Sequence, residues 1–190
     1  MTGQTFLGLA TAFGLSTAAG LNAYIPLLVM AILARLTPLI TLNEPWDALS
    51  SWWVIGTLAV LLAVEILVDK IPAVDTINDV IQTFVRPTAG AILFASTTRT
   101  IGIHPVVAAI CGVILAGGVH AAKAGGRPVV ASMTAGVGNP IVSTVEDIIS
   151  FVTSLLAIVA PFLVVAFVAT IGGLILWWYV RRQQQREQNE

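Results

Sequence analysis

The chain has 190 residues, 57% of them hydrophobic and only 10% charged, with a formal net charge of -1. Soluble domains carry roughly 25% charged residues, and with a mean hydropathy of +0.92 this composition excludes an ordinary water-soluble fold and points to an integral membrane protein. No basic tract recommends nucleic acid as a partner, and the single Cys111 excludes an internal disulfide or a multi-cysteine metal site.

Long apolar stretches favour helices over a barrel, whose strands would alternate over about ten residues. At roughly 20 residues per span the length holds five to seven membrane segments and leaves no room for a soluble catalytic module. The start, MTGQTFLGLATAFGL, lacks the positive region of a secretory signal peptide and reads as part of the mature membrane domain.

Residues 6–37 are almost uncharged, but Gly14, Gly20, Asn22 and Pro26 interrupt the middle. Either one continuous span or two half-helices meeting at Ala19-Gly20-Leu21-Asn22 fits, because glycine and proline weaken the helical ladder. Residues 38–51 form the longest polar connection, carrying Glu44 and Asp47 but no Lys or Arg. Trp52 to Asp69 is a clean span with Trp52 and Trp53 as interfacial anchors. From Pro72 a second span returns, in which Asp75, Asn78, Asp79, Gln82 and Arg86 form one helical stripe. Val74, Ile77, Ile81 and Val85 cover the other side, and Pro87 breaks or kinks the helix before Thr88–Thr98.

Ile101 to Val119 reads as the next span, followed by His120, Lys123 and Arg127 as a basic cytoplasmic rim. Val129 to Val137 is too short to cross alone and reads as re-entrant. Pro140–Ala160 and Phe162–Val180 are the last spans, with Trp177, Trp178 and Tyr179 at the final interface and Arg181, Arg182 and Arg186 beyond it. Placing those arginines in the cytoplasm puts Lys70, Lys123 and Arg127 on the same side across six spans, with both termini inside.

The chain also repeats itself. Pro72-Ala73-Val74-Asp75-Thr76-Ile77-Asn78-Asp79-Val80-Ile81 matches Pro140-Ile141-Val142-Ser143-Thr144-Val145-Glu146-Asp147-Ile148-Ile149 as P-x-V-x-T-[IV]-x-D-[IV]-I. In a six-span arrangement the two copies, with cores near 72–85 and 140–152, run parallel. A shorter echo, T-A-x-x-x-N, links Thr17–Asn22 with Thr134–Asn139; two re-entrant tips would enter from opposite faces.

Few charges remain to carry chemistry. At about 1.5 Å per residue, Asp79 lies roughly 10 Å beyond Pro72 and Arg86 roughly 21 Å, near the middle of a ~30 Å hydrocarbon core. An unpaired charge at that depth costs at least roughly 2.5–3.5 kcal/mol, so Arg86 should face the interior and meet Glu146, Asp147 or Glu65. Those groups either line a water-accessible path for an ion or polar solute, or form ion pairs that only fix helix register. Asn22 and Asn139, each beside a glycine-rich break, suit broken-helix tips whose free backbone groups hold solutes; close helix packing through glycine is the competing account. Glu65 is either a proton-coupling group or a partner of Lys70. Asp75, Lys123 and Arg127 are secondary candidates, the basic ones also serving topology or anionic lipid. His104 and His120 are 16 residues apart, roughly 24 Å along a helix at about 1.5 Å per residue, and cannot share a metal.

Enzyme signatures such as H-E-x-x-H, G-x-S-x-G and G-x-x-x-x-G-K-[ST] are absent, and Asp79 with Asp147 is too little to support an aspartyl intramembrane protease. Taken together, Gly14-Leu15-Ser16-Thr17-Ala18-Ala19-Gly20-Leu21-Asn22-Ala23-Tyr24-Ile25-Pro26, Asp69-Lys70-Ile71-Pro72 and Ala135-Gly136-Val137-Gly138-Asn139-Pro140 resemble a family of small bacterial membrane proteins catalogued as domain of unknown function 4126. The resemblance spans about Phe6 to Val180. It implies a small multi-span helical protein and brings with it no activity and no functional residue.

The expectation is therefore an all-α polytopic transmembrane helical bundle, a single domain over 1–190 with about six spans, internal repeats, re-entrant or broken helices and a polar cytoplasmic tail over 181–190. Its expected place is the plasma membrane. Its expected role is a small transporter or permease-like protein for a polar or anionic solute or a lipid head group, with no enzyme activity, metal or cofactor. Asp79, Arg86, Glu146, Asp147, Asn22 and Asn139 would line the path. The alternative is a non-transporting structural or assembly subunit. Partners are the bilayer, the solute and a second copy of the chain.

Overall fold

The computed structural model describes residues 3–69, 72–134 and 138–161 without interruption, together with positions 163, 166, 170, 173, 177 and 181. The side chains at 72–77 and 127–131 are outside that description, so Lys70, Asp75, Arg127 and the predicted last span from Phe162 to Val180 are not placed by it. Among the described residues there are six α-helices, two short 3-10 turns and no strand: α1 (Gly3–Leu21), α2 (Tyr24–Leu36), α3 (Trp52–Val68), α4 (Pro72–Thr98), α5 (Pro105–Thr134) and α6 (Asn139–Val159). Among them Pro105–Gly126, with 22 residues, and Asn139–Val159, with 21, are long and apolar enough to cross a membrane.

Local chemistry sets the boundaries. The Asn22 side-chain oxygen takes the N–H groups of Tyr24 and Ile25 at 3.0 and 3.1 Å, which satisfies the first turn of α2. Pro26 follows in that turn, where a missing N–H is harmless. Ser51 caps α3 by accepting from the Val54 N–H. Proline opens α4 and α5 at Pro72 and Pro105 and sits in the first turn of α6 at Pro140. Gly102, at φ 76°, makes the left-handed turn between α4 and α5 that a side chain would resist.

Two sequence expectations change here. α4 continues through Pro87 to Thr98 as one helix, so Pro87 does not break it. α5 likewise runs unbroken past Gly125-Gly126 to Thr134, so most of Val129–Val137 is the end of α5 rather than a separate re-entrant piece, and residues 135–137 lie outside the described residues. A glycine pair lowers helix propensity by roughly 1 kcal/mol per residue, which the remaining turns of a 30-residue helix outweigh.

Helix directions follow from a few contacts. α1 runs against α4, with Gly8 beside Thr97 and Ile101 and Ser16 Oγ donating to the Gly90 carbonyl at 3.0 Å. α1 also runs against α6, since Thr11 Oγ1 donates to the Ala157 carbonyl and Ser150 Oγ to the Ala18 carbonyl. α4 and α6 therefore point the same way. α2 turns back beside α4, where its Met30 Sδ accepts from Ser96 Oγ. α1 and α2 thus form a helical hairpin. Its turn, Asn22-Ala23, is buried inside the protein instead of capping its surface.

Candidate functional site

The stripe predicted on α4 is a buried stripe: Gln82 and Arg86 are each 1% exposed, and Asn78 and Asp79 are half-buried. Opposite them Ile81 and Phe84 face outward. Arg86 Nη2 donates to Glu65 Oε1 on α3 at 3.1 Å, so the carboxylate required by a buried arginine is Glu65 rather than Glu146 or Asp147. Arg86 Nη1 lies 3.1 Å from His120 Nδ1 on α5. A guanidinium N–H can only donate, so Nδ1 accepts and the ring is the Nε2–H tautomer. That Nε2–H reaches Thr83 Oγ1 at 3.1 Å, and the Thr83 hydroxyl donates to the Asp79 carbonyl at 2.9 Å.

A second cluster holds the hairpin turn. Asn22 Nδ2 donates to Asp147 Oδ1 on α6 at 2.9 Å. Lys123 Nζ on α5 donates to the Leu21 carbonyl at 3.1 Å and pairs with Glu146 Oε2 at 2.7 Å. The last carbonyl of α1, that of Leu21, is therefore met by a cation, the usual polarity at a helix C-terminus. Below it, Asp69 at the end of α3 accepts from Asn78 Nδ2 at 3.0 Å and from Ser143 Oγ at 2.6 Å. Helices α1, α3, α4, α5 and α6 thus each send a polar side chain or a free carbonyl into one layer. Tyr24 on α2 joins them beside Gln82.

Of the residues singled out in the sequence, the structure brings together Asn22, Glu65, Arg86, Lys123, Glu146 and Asp147. Asp79 sits half-buried at the edge of the layer and enters it through its backbone carbonyl. Asn139 is at the start of α6, roughly 12 Å along the helix from Asp147 at about 1.5 Å per residue, and so lies away from the Asn22 turn. Among the described residues, its Oδ1 is buried without a hydrogen-bond partner. The basic rim is corrected: His120 and Lys123 lie inside the bundle, 5% and 9% exposed. They face inward, His120 toward Arg86 and Lys123 toward the Leu21 carbonyl and Glu146.

Sequence reasoning missed Asp69, Ser143 and Ser150 as members of this layer. Ser143, Ser150, Ser154 and Ala157 form the buried face of α6; a small-residue stripe at seven- and four-residue spacing is the signal that was present. A cavity of about 550 Å3 lies at the opposite end of the bundle, beside Gly8, Thr11, Thr41 and Thr97, where the hydroxyls of Thr11 and Thr97 bond backbone carbonyls.

A family model described as Domain of unknown function (DUF4126) matches residues 9–181. The chain belongs to that family. The matched stretch takes in the residues of the polar layer, from the Asn22 turn to α6. No curated protein and no solved structure matches it.

Proposed function

We propose that this DUF4126 protein is a multi-pass plasma-membrane transporter that passes a small polar or anionic solute, or a lipid head group, through the layer around Asn22, Arg86 and Lys123. The observation that carries the reading is the inversion of polarity. Glu65 and Arg86 are 2% and 1% exposed while Leu67 and Phe84 are 67% and 74% exposed. Such an arrangement is cheap only where the surroundings are hydrocarbon and the interior is where polar groups find partners. A buried helix break supplies the second element. Broken helices at mid-membrane depth are where transporters expose backbone groups to a solute, and here the Leu21 carbonyl and the Asn22 amide occupy that position. Arg86 and Lys123 would receive an anionic group by exchanging it for Glu65 and Glu146.

In this reading α1–α2 is a hairpin entering from one face, α4 and α6 are parallel copies of one element, and both termini are cytoplasmic. One observation favours a second reading, a structural subunit whose buried charges only fix assembly. Arg86 and Lys123 each already reach a carboxylate, at 3.1 and 2.7 Å.

Unfolding in detergent with a panel of inorganic anions, small solutes and lipid head groups separates the two. A ligand bound by the native state alone adds stability of about 2.7 kcal/mol at a hundred times its Kd. The transporter reading expects such a shift in the wild type and its loss in Asp147→Asn, which weakens the grip on the hairpin turn. If no compound shifts the wild type and the variant is merely less stable, the structural reading stands.

A further inference from the structure

Among the described residues, three polar atoms in the layer have no hydrogen-bond partner: Glu65 Oε2, Gln82 Oε1 and Arg86 Nε. All three belong to side chains that are at least 98% buried. They also belong together. Gln82 and Arg86 are one turn apart on the same face of α4, and Arg86 grips the other oxygen of the same Glu65 carboxylate. Tyr24 closes the group, lying beside Gln82. The set is two acceptors and one donor, and that composition selects its occupant. A metal cation would lie against the Arg86 guanidinium, and an anion would meet two oxygen lone pairs. A water molecule fits: it donates to Glu65 Oε2 and Gln82 Oε1 and accepts from Arg86 Nε–H, the roughly three bonds a buried water makes.

We propose that Glu65, Gln82 and Arg86 hold a buried water, and that Glu65 takes its proton through that water, making this the proton-binding site of the protein. The inference deepens the transport reading by naming the proton as the coupling ion. The other ionisable groups facing Glu65 are Arg86 from α4, Tyr24 from α2, Asp147 from α6 and Asp69 one turn further along α3. The balance is simple. A proton from the aqueous phase adds to the Glu65 carboxylate through the water, no other bond is made or broken, and the same proton leaves when the carboxyl group ionises. While it is bound, Arg86 loses the negative charge it holds and keeps the water at Nε and His120 Nδ1, at 3.1 Å from Nη1, as neutral partners. That frees the guanidinium to turn toward an anionic solute. His120 is a positioning residue, linked to Glu65 through Arg86.

The test is infrared difference spectroscopy on the full chain in lipid nanodiscs, stepping the pH in ordinary and heavy water. Two signals are expected: a protonated-carboxyl C=O band that shifts in heavy water, and a sharp O–H stretch from an internal water. Glu65→Gln should abolish the first. Gln82→Leu, which keeps the Glu65–Arg86 pair and guards against misfolding, should remove or displace the water band and shift the carboxyl band. A carboxyl band that survives Glu65→Gln, or a water band absent from the wild type or unmoved by Gln82→Leu, would overturn the proposal. The result does not depend on finding a solute. Bands as expected with no ligand shift would sink the transport reading alone, and a ligand shift without the bands would sink the proton site alone.

Discussion

Two neighbouring stretches of α4 are buried against the same helix and are held by opposite means. At Gly90 the contact is backbone on backbone: a Cβ added there would lie 2.5 Å from the Ala116 Cβ and 2.6 Å from the Gly112 carbonyl on α5. One turn earlier, at Arg86, the contact is polar, through His120 on α5 and Glu65 on α3. The first region has no side chain long enough to adjust. The second consists almost wholly of long side chains that can. A glycine crossing brings two helix axes to their closest approach and leaves little freedom of register. That crossing sets His120 level with Arg86, so the rigid contact positions the adaptable one.

The comparison breaks most visibly at the ion pair. Glu65→Ala leaves Arg86 buried without its carboxylate, and removing one partner of a buried pair costs about 3–5 kcal/mol. Replacing both, with Glu65→Leu and Arg86→Met, should recover most of that loss, since an apolar pair of similar volume needs no partner. Denaturant titration in mixed micelles, followed by circular dichroism, reads both. A double variant as unstable as the single one would show that Arg86 is held mainly through His120 and not through Glu65.

The crossing should respond to smaller changes. At Gly112 a Cβ would run into the Gly90 carbonyl oxygen and the Ala91 Cα, neither of which is the end of a flexible side chain. Gly112→Ala therefore has to push α4 and α5 apart, and overpacking of this kind costs typically about 1–3 kcal/mol. Because the same crossing aligns His120 with Arg86, the variant should also weaken the polar layer without touching it. The same titration gives the loss of stability. An infrared shift of the Glu65 carboxyl band in Gly112→Ala would report the second effect; an unmoved band would mean that the two regions are independent.

How far the sequence could go follows from the same contrast. Arg86 was readable as inward-facing because Asn78, Gln82 and Arg86 recur on one helical face and a charge at that depth needs a partner. The break at Asn22 was readable only as one of two options, because Gly20, Asn22 and Pro26 weaken a helix without deciding between one continuous span and two half-helices. Which carboxylate meets Arg86 was not, because Glu65, Glu146 and Asp147 differ only in where α3 and α6 pack, and packing is set by long-range contacts. His120 and Lys123 were misplaced for a related reason. Basic residues after an apolar run look like the end of a span, and only the continuation of α5 to Thr134 shows that they lie within it. The family could be recognised from its motifs, but a family without an assigned activity adds nothing about the chemistry of the layer.

The smallest effect sharpens the comparison within a single helix. Gly112 and Gly118 both lie inside α5 and look alike in sequence, yet a Cβ at Gly118 would meet nothing within 4 Å. Gly118 therefore contributes no close approach, only the extra backbone freedom of glycine in the unfolded chain. Gly118→Ala should raise stability by about 0.5–1 kcal/mol, the usual difference between the two residues inside a helix. The opposite sign at Gly112, six residues away, would locate the crossing without a further structure. If Gly118→Ala were destabilising instead, that face of α5 would be in contact with something, and a second copy of the chain would be the first partner to test by cross-linking in the bilayer.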